Sequence, residues 1–226
     1  MTKTTMTDNC VILFLTAPVQ DKISRDMKEA FGPERACHIY TDMVREIFAS
    51  LKLLKNVYTV LVYERTSKYP DLLWLDQEDP GFMEPQAKTE EARVTDAVKW
   101  AFSAGAKKVA VLSAQSPGVP LDWIENAFPL VNDRSVAVGA DQDGGLYFFA
   151  LSSAAGTELL EGWPWSGRKA CEEIAEKAKK LRFTVNSMPE FYRVKNEQTL
   201  QQWTDNREKI TYPSPASSRL AEKPAE

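Results

Sequence analysis

The sequence predicts a layered α/β domain built on a mainly parallel, mixed sheet. Continuous apolar runs of strand length, such as residues 11–15 and 109–112, are typical of strands that are buried on both faces. Amphipathic segments of helix length, such as the one that opens at Pro33, separate these runs. Strand and helix therefore alternate through most of the chain, which favours a three-layer α/β/α sandwich.

The first half of the chain predicts two strands and one long helix. Residues 11–15 form the first strand, and the polar residues 16–28 that follow are expected to be a loop. Proline suits the first helical turn, so a helix opens at Pro33, and its apolar residues recur at spacings of three and four up to Leu51. Residues 57–63 are rich in β-branched and aromatic side chains and predict the second strand.

The middle of the chain predicts a third strand between two helices. Prolines and a glycine interrupt residues 64–88, so no long element is expected there. Thr89 then caps a helix that Gly105 ends. Residues 109–112 form the third strand, and the next helix begins at about Pro120.

The last part of the chain predicts three more strands and one more helix. Residues 136–138 and 146–151 are strands separated by a polar turn that contains glycine. Ser166 can cap the last long helix, and residues 183–185 form a short strand.

Composition and charge restrict the kind of protein. The chain has 28 basic and 32 acidic residues, a net charge of −4 and a pI of about 5.3, which argues against a nucleic-acid-binding surface. No apolar run approaches the roughly 18 residues that a membrane span requires. The N-terminus lacks the apolar region of a signal peptide, so we expect a cytoplasmic protein. Cys10, Cys37 and Cys171 suit neither a disulfide framework nor a metal knuckle.

The domain organisation follows from a change in composition near the C-terminus. After Trp203 the sequence consists mostly of Thr, Pro, Ser, Ala, Lys and Glu, which offer little to pack against a core. We therefore expect one domain over residues 1–205 and a flexible tail over residues 206–226.

Three loops are expected to share one end of the sheet, because ligands of open α/β sheets bind outside the carboxyl ends of the strands. In residues 139–145, Gly144 and Gly145 permit close approach of the backbone to a ligand, while Asp141 and Asp143 could hold a divalent cation or sugar hydroxyls. The same residues also suit a plain β-turn.

The other two loops offer polar and basic side chains. Gln115 and Ser116 can form hydrogen bonds to a ligand, although their loop also suits a simple strand-to-helix connection. Lys22 and Arg25 could face phosphates, or could belong to a solvated surface.

Other conspicuous residues carry weaker signals. His38, the one histidine, lies off the apolar stripe of its helix and is expected at the surface. Trp163 and Trp165 could stack on a sugar or a base, or could pack in a core or a lid. The sequence has no dinucleotide-binding fingerprint, P-loop or nucleophile elbow.

Four motifs match a known family in order and spacing. They read APVQDKISRDM at residues 17–27, SAQSPGVP at 113–120, DGGLYFFAL at 143–151 and WS at 165–166. Over about residues 11–203, the chain resembles the bacterial glycosyltransferase-like family associated with radical-SAM/selenodomain proteins. That family is a group of nucleotide-diphospho-sugar transferases, so the resemblance implies a GT-A-type fold.

The chain departs from the family pattern at three places. Gln115 stands where the family has an aspartate that helps to bind a divalent cation. The basic family triplet Lys-Thr-Arg falls on Ser24, Arg25 and Asp26, and the late family motif Asp-Val-Asp-Thr falls on residues 193–196, which read RVKN. The family implies Mg²⁺ or Mn²⁺, but its ligand positions are replaced here, so we predict no metal ligands.

The resemblance implies a transferase that moves a sugar or a related group from a nucleotide-diphospho-sugar to an acceptor. In this hypothesis Asp143 is catalytic, and the substrate-binding residues are Lys22, Arg25, Gln115, Ser116, Asp141, Gly144, Gly145 and Trp165. Arg193 and Lys195 are candidate substitutes for the lost metal. Two alternatives stay open: an inactive member that serves as a binding protein, and a nucleotidyltransferase that acts on a phosphorylated small molecule.

Overall fold

One six-stranded sheet organises the molecule. The computed structural model describes residues 7–162 and 167–209. The strands are β1 (Asn9–Thr16), β2 (Val57–Glu64), β3 (Lys108–Leu112), β4 (Ser135–Ala140), β5 (Leu146–Ser152) and β6 (Thr184–Ser187). They lie in the order β2-β1-β3-β5-β4-β6, and each neighbouring pair is parallel except the two pairs that involve β5. The predicted mainly parallel, mixed sheet is confirmed.

Helices cover both faces of this sheet. They are α1 (Arg25–Phe31), α2 (Pro33–Leu51), α3 (Glu90–Ser103), α4 (Leu121–Leu130), α5 (Ala170–Lys180) and α6 (Glu197–Lys209), with short 3₁₀ turns at Ser153–Ala155 and Glu158–Leu160. Side chains of β1 alternate between two apolar clusters: Val11 and Leu13 pack with α1, α2 and α4, whereas Ile12 packs with α3 and α5. The three-layer arrangement is therefore confirmed. None of the described helices is long and apolar enough to cross a membrane.

Two helices escape the sequence prediction. The end of the expected loop 16–28 is instead part of α1. The Ser24 hydroxyl caps this helix by accepting from the Met27 backbone N–H, and Met27 and Phe31 are buried. Helix α6 has few apolar residues and was not predicted. It docks through Trp203, whose indole N–H donates to the Glu46 carboxylate at 2.9 Å.

Two expectations near the C-terminus concern the cap of α5 and the start of the tail. Helix α5 begins at Ala170 with Lys169 at its N-cap. Ser166 lies outside the described residues, so its role as a helix cap stays a prediction. Helix α6 continues to Lys209, so the first four residues of the expected tail, 206–209, are helical. Residues 210–226 lie outside the described part of the chain, and the flexible tail stays a prediction for them.

The sheet topology brings the loops of interest to one edge. Strands β1, β3, β4 and β6 point the same way, so the segments that follow their carboxyl ends meet there. The last of these segments, residues 188–196, joins β6 to α6 and passes beside the turn that follows β4. This edge holds the candidate site.

Candidate functional site

The turn after β4, residues 141–145, is folded around the Asp141 carboxylate. Its Oδ1 atom accepts hydrogen bonds from the backbone N–H groups of Asp143 at 2.9 Å and Gly145 at 2.8 Å. The Asp141 backbone N–H donates to the Gly145 carbonyl at 2.9 Å. Only 4% of the Asp141 side chain is exposed. One oxygen of this carboxylate is thus committed to the turn itself.

The two glycines of the turn make room for the protein's own atoms. A Cβ at Gly145 would lie 2.6 Å from the Asp141 Oδ2 atom. Gly144 has a φ of +80°, and a Cβ there would lie 2.6 Å from the Arg168 carbonyl oxygen. The sequence suggested that these glycines clear space for a ligand, but the carboxylate and a backbone carbonyl fill that space.

Arg193 connects this turn to two other loops. Its Nη1 atom lies 3.4 Å from the Asp141 Oδ2 atom, and its Nη2 atom donates to the Gln115 Oε1 atom at 2.5 Å. The Gln115 amide then donates to the Ser24 hydroxyl at 3.0 Å. Only 18% of the Arg193 side chain is exposed, and its Nε atom is buried without a hydrogen-bond partner among the described residues. Residues from four distant parts of the sequence, Ser24, Gln115, Asp141 and Arg193, therefore form one polar chain.

Lys195 supplies a second cation to the turn. Its ammonium group forms an ion pair with the Asp143 carboxylate. The Asp143 side chain is 49% exposed, so this pair faces the solvent more than the Asp141–Arg193 pair does. Each carboxylate of the turn thus has its own basic partner from the 188–196 segment.

Backbone hydrogen bonds hold the 188–196 segment in place. The Phe191 N–H donates to the Ala140 carbonyl at 3.1 Å, and the Val194 N–H donates to the Gln115 carbonyl at 2.7 Å. The Tyr192 hydroxyl donates to the Pro117 carbonyl at 3.0 Å. Burial raises the pKa of Tyr192 to about 12, so the hydroxyl keeps its proton at neutral pH. These bonds fix the backbone on both sides of Arg193.

The carboxyl edge of the sheet carries two adjoining cavities. The larger, about 690 Å³, lies over the 141–145 turn, and we call it the turn compartment; its lining residues include Arg25, Asp26, Glu29, Asp141, Asp143, Gly145, Arg168, Lys195 and Asn196. The second, about 460 Å³, lies at the end of β1 and is called the β1 compartment; its lining residues include Phe14, Leu15, Thr16, Lys22, Tyr40, Val62, Glu64, Arg93, Val94 and Leu112. Ser24, Gln115 and Arg193 line both compartments and form the boundary between them.

Most of the residues predicted from the sequence meet at these compartments. Arg25, Gln115, Asp141, Asp143 and Gly145 line the turn compartment, although the Arg25 side chain is 87% exposed and pairs with Glu29 at 2.6 Å. Lys22 and Gln115 line the β1 compartment.

Two predicted residues that the structure describes, Ser116 and Gly144, line neither compartment. Ser116 is fully buried and lines neither cavity, so the structure does not bring it to the place expected for a nucleotide. Gly144 lies in the turn without lining the cavity. Trp165 lies outside the described residues. His38 is exposed, as predicted, and lines neither compartment.

Sequence reasoning missed several lining residues, among them Glu64, Arg93 and Arg168. Glu64 ends β2, so the rule that ligands bind at the carboxyl ends of strands could have found it. It lies 3.1 Å from Lys22 and 3.1 Å from Arg93. The Lys22 hydrogen bond, with the nearby Arg93 charge, lowers the pKa of Glu64 below its ordinary value. No local motif points to Arg93 or Arg168.

The oxygens of the turn do not fit a divalent cation. The Asp141 Oδ1 atom is held by two backbone N–H groups, and the Asp141 Oδ2 and Gln115 Oε1 atoms face the Arg193 guanidinium. The Asp143 carboxylate faces Lys195. Among the described residues, no group of three or more His, Cys, Asp or Glu side chains could hold a metal ion. A dication placed here would compete with the Arg193 guanidinium for the Asp141 Oδ2 and Gln115 Oε1 atoms, and with the Lys195 ammonium for the Asp143 carboxylate.

Sequence comparison gives the family. A profile of the bacterial family DUF2064, described as "Uncharacterized protein conserved in bacteria", matches residues 48–167, more than half of the 226 residues. The chain belongs to the DUF2064 family. In this DUF2064 chain the matched range contains Gln115 and the 141–145 turn, whereas Lys22, Arg193 and Lys195 lie outside it. A search of curated protein sequences gives no significant match.

Solved structures share the fold of this DUF2064 protein. A "putative nucleotide-diphospho-sugar transferase" from Desulfovibrio desulfuricans G20 is 21% identical, with a TM-score of 0.75 over 84% of each chain. A nucleotidyl transferase from Methanothermobacter thermautotroptrophicus is 10% identical, with a TM-score of 0.57 over 89% of this chain and 99% of that one. The 4-diphosphocytidyl-2C-methyl-D-erythritol synthase from Anaerococcus prevotii DSM 20548 is also 10% identical, with a TM-score of 0.56 over 89% and 97%. The predicted GT-A-like α/β fold is thereby confirmed.

Proposed function

We propose that this DUF2064 protein binds a nucleotide-diphospho-sugar across both compartments and transfers the sugar, or a related group, to an acceptor. The observation that carries the proposal is the pair of adjoining cavities at the carboxyl edge of the sheet, which meet at Arg193, Gln115 and Ser24. A ligand with two different ends and an anionic centre suits two different cavities joined at a cation.

The turn compartment suits the sugar. Asp143 and Asn196 line this cavity. A carboxylate accepts hydrogen bonds from sugar hydroxyl groups, and a side-chain amide can both accept from them and donate to them. Asp143 is the more available of the two turn carboxylates, because half of its side chain is exposed, whereas Asp141 is committed to the turn. In the proposal, Asp143 orients the sugar by accepting from its hydroxyl groups.

The β1 compartment suits the nucleoside. Apolar side chains, including Phe14, Leu15 and Val62, line part of it and offer a surface for a flat base. Lys22, Glu64 and Arg93 add polar groups that can donate to or accept from a base or a ribose. This combination of an apolar wall with a few polar groups is typical of sites that orient a small molecule.

The transfer step follows from this orientation. The bond between the anomeric carbon of the sugar and the diphosphate oxygen breaks, and its electron pair stays with the diphosphate. The acceptor forms the new bond to that carbon and releases a proton to the solvent. The negative charge that develops on the leaving diphosphate lies next to the boundary residue Arg193, which can stabilise it.

Isothermal calorimetry with a panel of nucleoside-diphosphate sugars tests the proposal. We expect at least one member to bind, and Asp143→Asn to weaken its binding by about tenfold, which corresponds to the loss of one charged hydrogen bond. Asp133→Asn is the matched control, because Asp133 is exposed and precedes β4 at the opposite end of the sheet. Release of the nucleoside diphosphate in the presence of an acceptor would then establish transfer.

The same panel separates the alternatives. Binding of a nucleoside triphosphate together with a sugar phosphate, followed by release of pyrophosphate, would identify a nucleotidyltransferase and contradict transfer of a sugar. The absence of binding to every nucleotide and nucleotide-sugar would contradict the proposal and leave a binding protein without this chemistry.

A further inference from the structure

We infer that Arg193 and Lys195 take the place of a divalent cation, so that this protein binds the diphosphate of its ligand without metal. The inference rests on the proposed function. It concerns the two cations of the 188–196 segment, which form ion pairs with Asp141 and Asp143. The ligand class is a nucleoside diphosphate or its sugar conjugate, recognised by fixed side-chain charges.

The first step of the argument is that the oxygens a metal would need are already neutralised. The Arg193 guanidinium contacts both the Asp141 carboxylate and the Gln115 side-chain oxygen, and Lys195 contacts Asp143. A guanidinium and an ammonium therefore stand where a metal would have to stand. Mg²⁺ and Mn²⁺ bind preferentially to free carboxylate oxygens, and like charges repel them from such a place.

The second step is the position of Arg193 in the cleft. A nucleotide-diphospho-sugar has its diphosphate in the middle, and the residues that line both compartments are Ser24, Gln115 and Arg193. Arg193 is the charged member of this set. A ligand that places one end in each compartment must therefore pass its diphosphate over the guanidinium.

The third step is that the guanidinium keeps unused donors. Arginine has five N–H groups, and two of its nitrogens each make one contact here, with Asp141 and with Gln115. The Nε atom is buried and has no partner within the described parts of the chain. A buried N–H without a partner is unfavourable, and a phosphate oxygen would provide one.

The fourth step is that both cations belong to a fixed backbone. Val194 lies between them, is fully buried, and donates its N–H to the Gln115 carbonyl at 2.7 Å. The Lys195 N–H donates to the Thr199 hydroxyl at 3.0 Å, at the start of α6. Charges that are already in place need little rearrangement when an anion arrives, which is the property that makes a bound metal effective.

Calorimetry on the full chain tests the inference, with UDP, GDP, ADP and CDP and their sugar conjugates as probes. Each titration is run in EDTA and again with excess Mg²⁺ or Mn²⁺. We expect binding in EDTA and a change of less than about twofold when metal is added. Arg193→Ala and Lys195→Ala should each weaken binding by about tenfold or more, because each removes a charged hydrogen-bond donor.

Two further variants serve as a matched control and a conservative substitution. Lys107→Ala is the matched control, because Lys107 also pairs with an aspartate, Asp8, but precedes β3 at the opposite edge of the sheet. Arg193→Lys should restore part of the affinity, since it keeps the charge but not the planar donor array. If Arg193→Ala does not fold, as judged by circular dichroism, the Lys195→Ala and Arg193→Lys titrations test the inference instead.

The reverse experiment tests whether a variant gains the ability to bind metal. The double variant Arg193→Asp/Lys195→Asp turns the cluster into four carboxylates, and we expect it to bind Mn²⁺ by electron paramagnetic resonance while the natural protein does not. Metal-dependent binding by the natural protein would overturn the inference but leave the proposed function intact. Binding in EDTA that both alanine variants leave unchanged would also overturn it. No binding in either buffer would overturn the inference and the proposed function together.

Discussion

Two charge clusters of the cleft differ in how they are held, the Asp141–Arg193 pair and the Lys22–Glu64–Arg93 cluster. In the turn compartment, Asp141 is almost completely buried, and its partner Arg193 is only 18% exposed. In the β1 compartment, the Lys22–Glu64–Arg93 cluster lies in partial contact with solvent, with about a third of each side chain exposed. The first arrangement is part of the folded core of the site, whereas the second is screened by water.

The degree of burial determines whether an ion pair keeps one geometry. A largely buried ion pair that is supported by backbone hydrogen bonds keeps one geometry, and it is strongly destabilised when one partner is removed. A half-exposed ion pair contributes little to stability and can rearrange around a ligand. We therefore expect the buried Asp141–Arg193 pair to supply fixed recognition of the diphosphate, and the Lys22–Glu64–Arg93 cluster to adapt to the nucleoside.

The largest expected effect is the loss of the Asp141 carboxylate. Asp141→Ala removes the acceptor of two backbone N–H groups and leaves Arg193 without its carboxylate, so it should lower the free energy of unfolding by about 3–5 kcal/mol. Asp143→Ala is the matched variant and should lower it by less than about 1 kcal/mol, because that carboxylate is half exposed. Urea denaturation measures both values. Equal losses of unfolding free energy in the two variants would contradict the distinction between the buried Asp141–Arg193 pair and the more exposed Asp143–Lys195 pair.

A smaller effect is expected at Tyr192, which holds the 188–196 segment. Tyr192→Phe removes the hydroxyl that donates to the Pro117 carbonyl and accepts from the Asn206 amide at 3.2 Å. The lost hydrogen bond should lower the free energy of unfolding by about 1–2 kcal/mol and weaken nucleotide binding, because Arg193 is then held less firmly. Tyr58→Phe, at an exposed tyrosine of β2, is the control. Unchanged stability and affinity in Tyr192→Phe would show that the hydroxyl does not support the site.

The smallest effect is the pH dependence that Glu64 adds. Its pKa is lowered in the folded protein, so its contribution to stability is present above the unfolded-state pKa near 4.5 and is lost as the pH falls through the lower folded-state value. Because Glu64 is partly exposed, Glu64→Gln should lower the free energy of unfolding at neutral pH by less than about 1 kcal/mol. Urea denaturation from neutral pH into the acid range measures the difference between the variant and the natural protein. A difference that grows as the pH falls would contradict the assignment of the ion pairs to Glu64.

The regular elements could be predicted wherever one face or both faces of an element are apolar. The β1 run and the stripe of α2 are of this kind, because burial alone selects their residues. Helix α1 was missed because it buries only Met27 and Phe31 within a polar stretch and depends on the Ser24 cap. Helix α6 was missed because a hydrogen bond and an ion pair with Glu46, from Trp203 and Arg207, fix it to α2.

The candidate site could be predicted as a set of loops but not as a set of contacts. The rule for ligand sites in open sheets placed Gln115 and Asp143 at one edge, and the structure brings both to the turn compartment. The Asp141–Arg193 contact joins residues that are 52 positions apart in the sequence, and the Gln115–Arg193 contact joins residues that are 78 positions apart. A local sequence pattern cannot predict contacts between residues so far apart. Ser116 was predicted to bind the ligand because it is a polar residue in the same loop as Gln115, but the structure buries it completely.

A crystal structure of the full chain with a bound nucleoside-diphosphate sugar, grown in EDTA, tests the central claim most directly. We expect the nucleoside in the β1 compartment, the sugar beside Asp143 in the turn compartment, and a diphosphate oxygen within hydrogen-bond distance of the Arg193 guanidinium. A ligand that lies outside the two compartments, or a diphosphate that does not contact Arg193, would contradict the account.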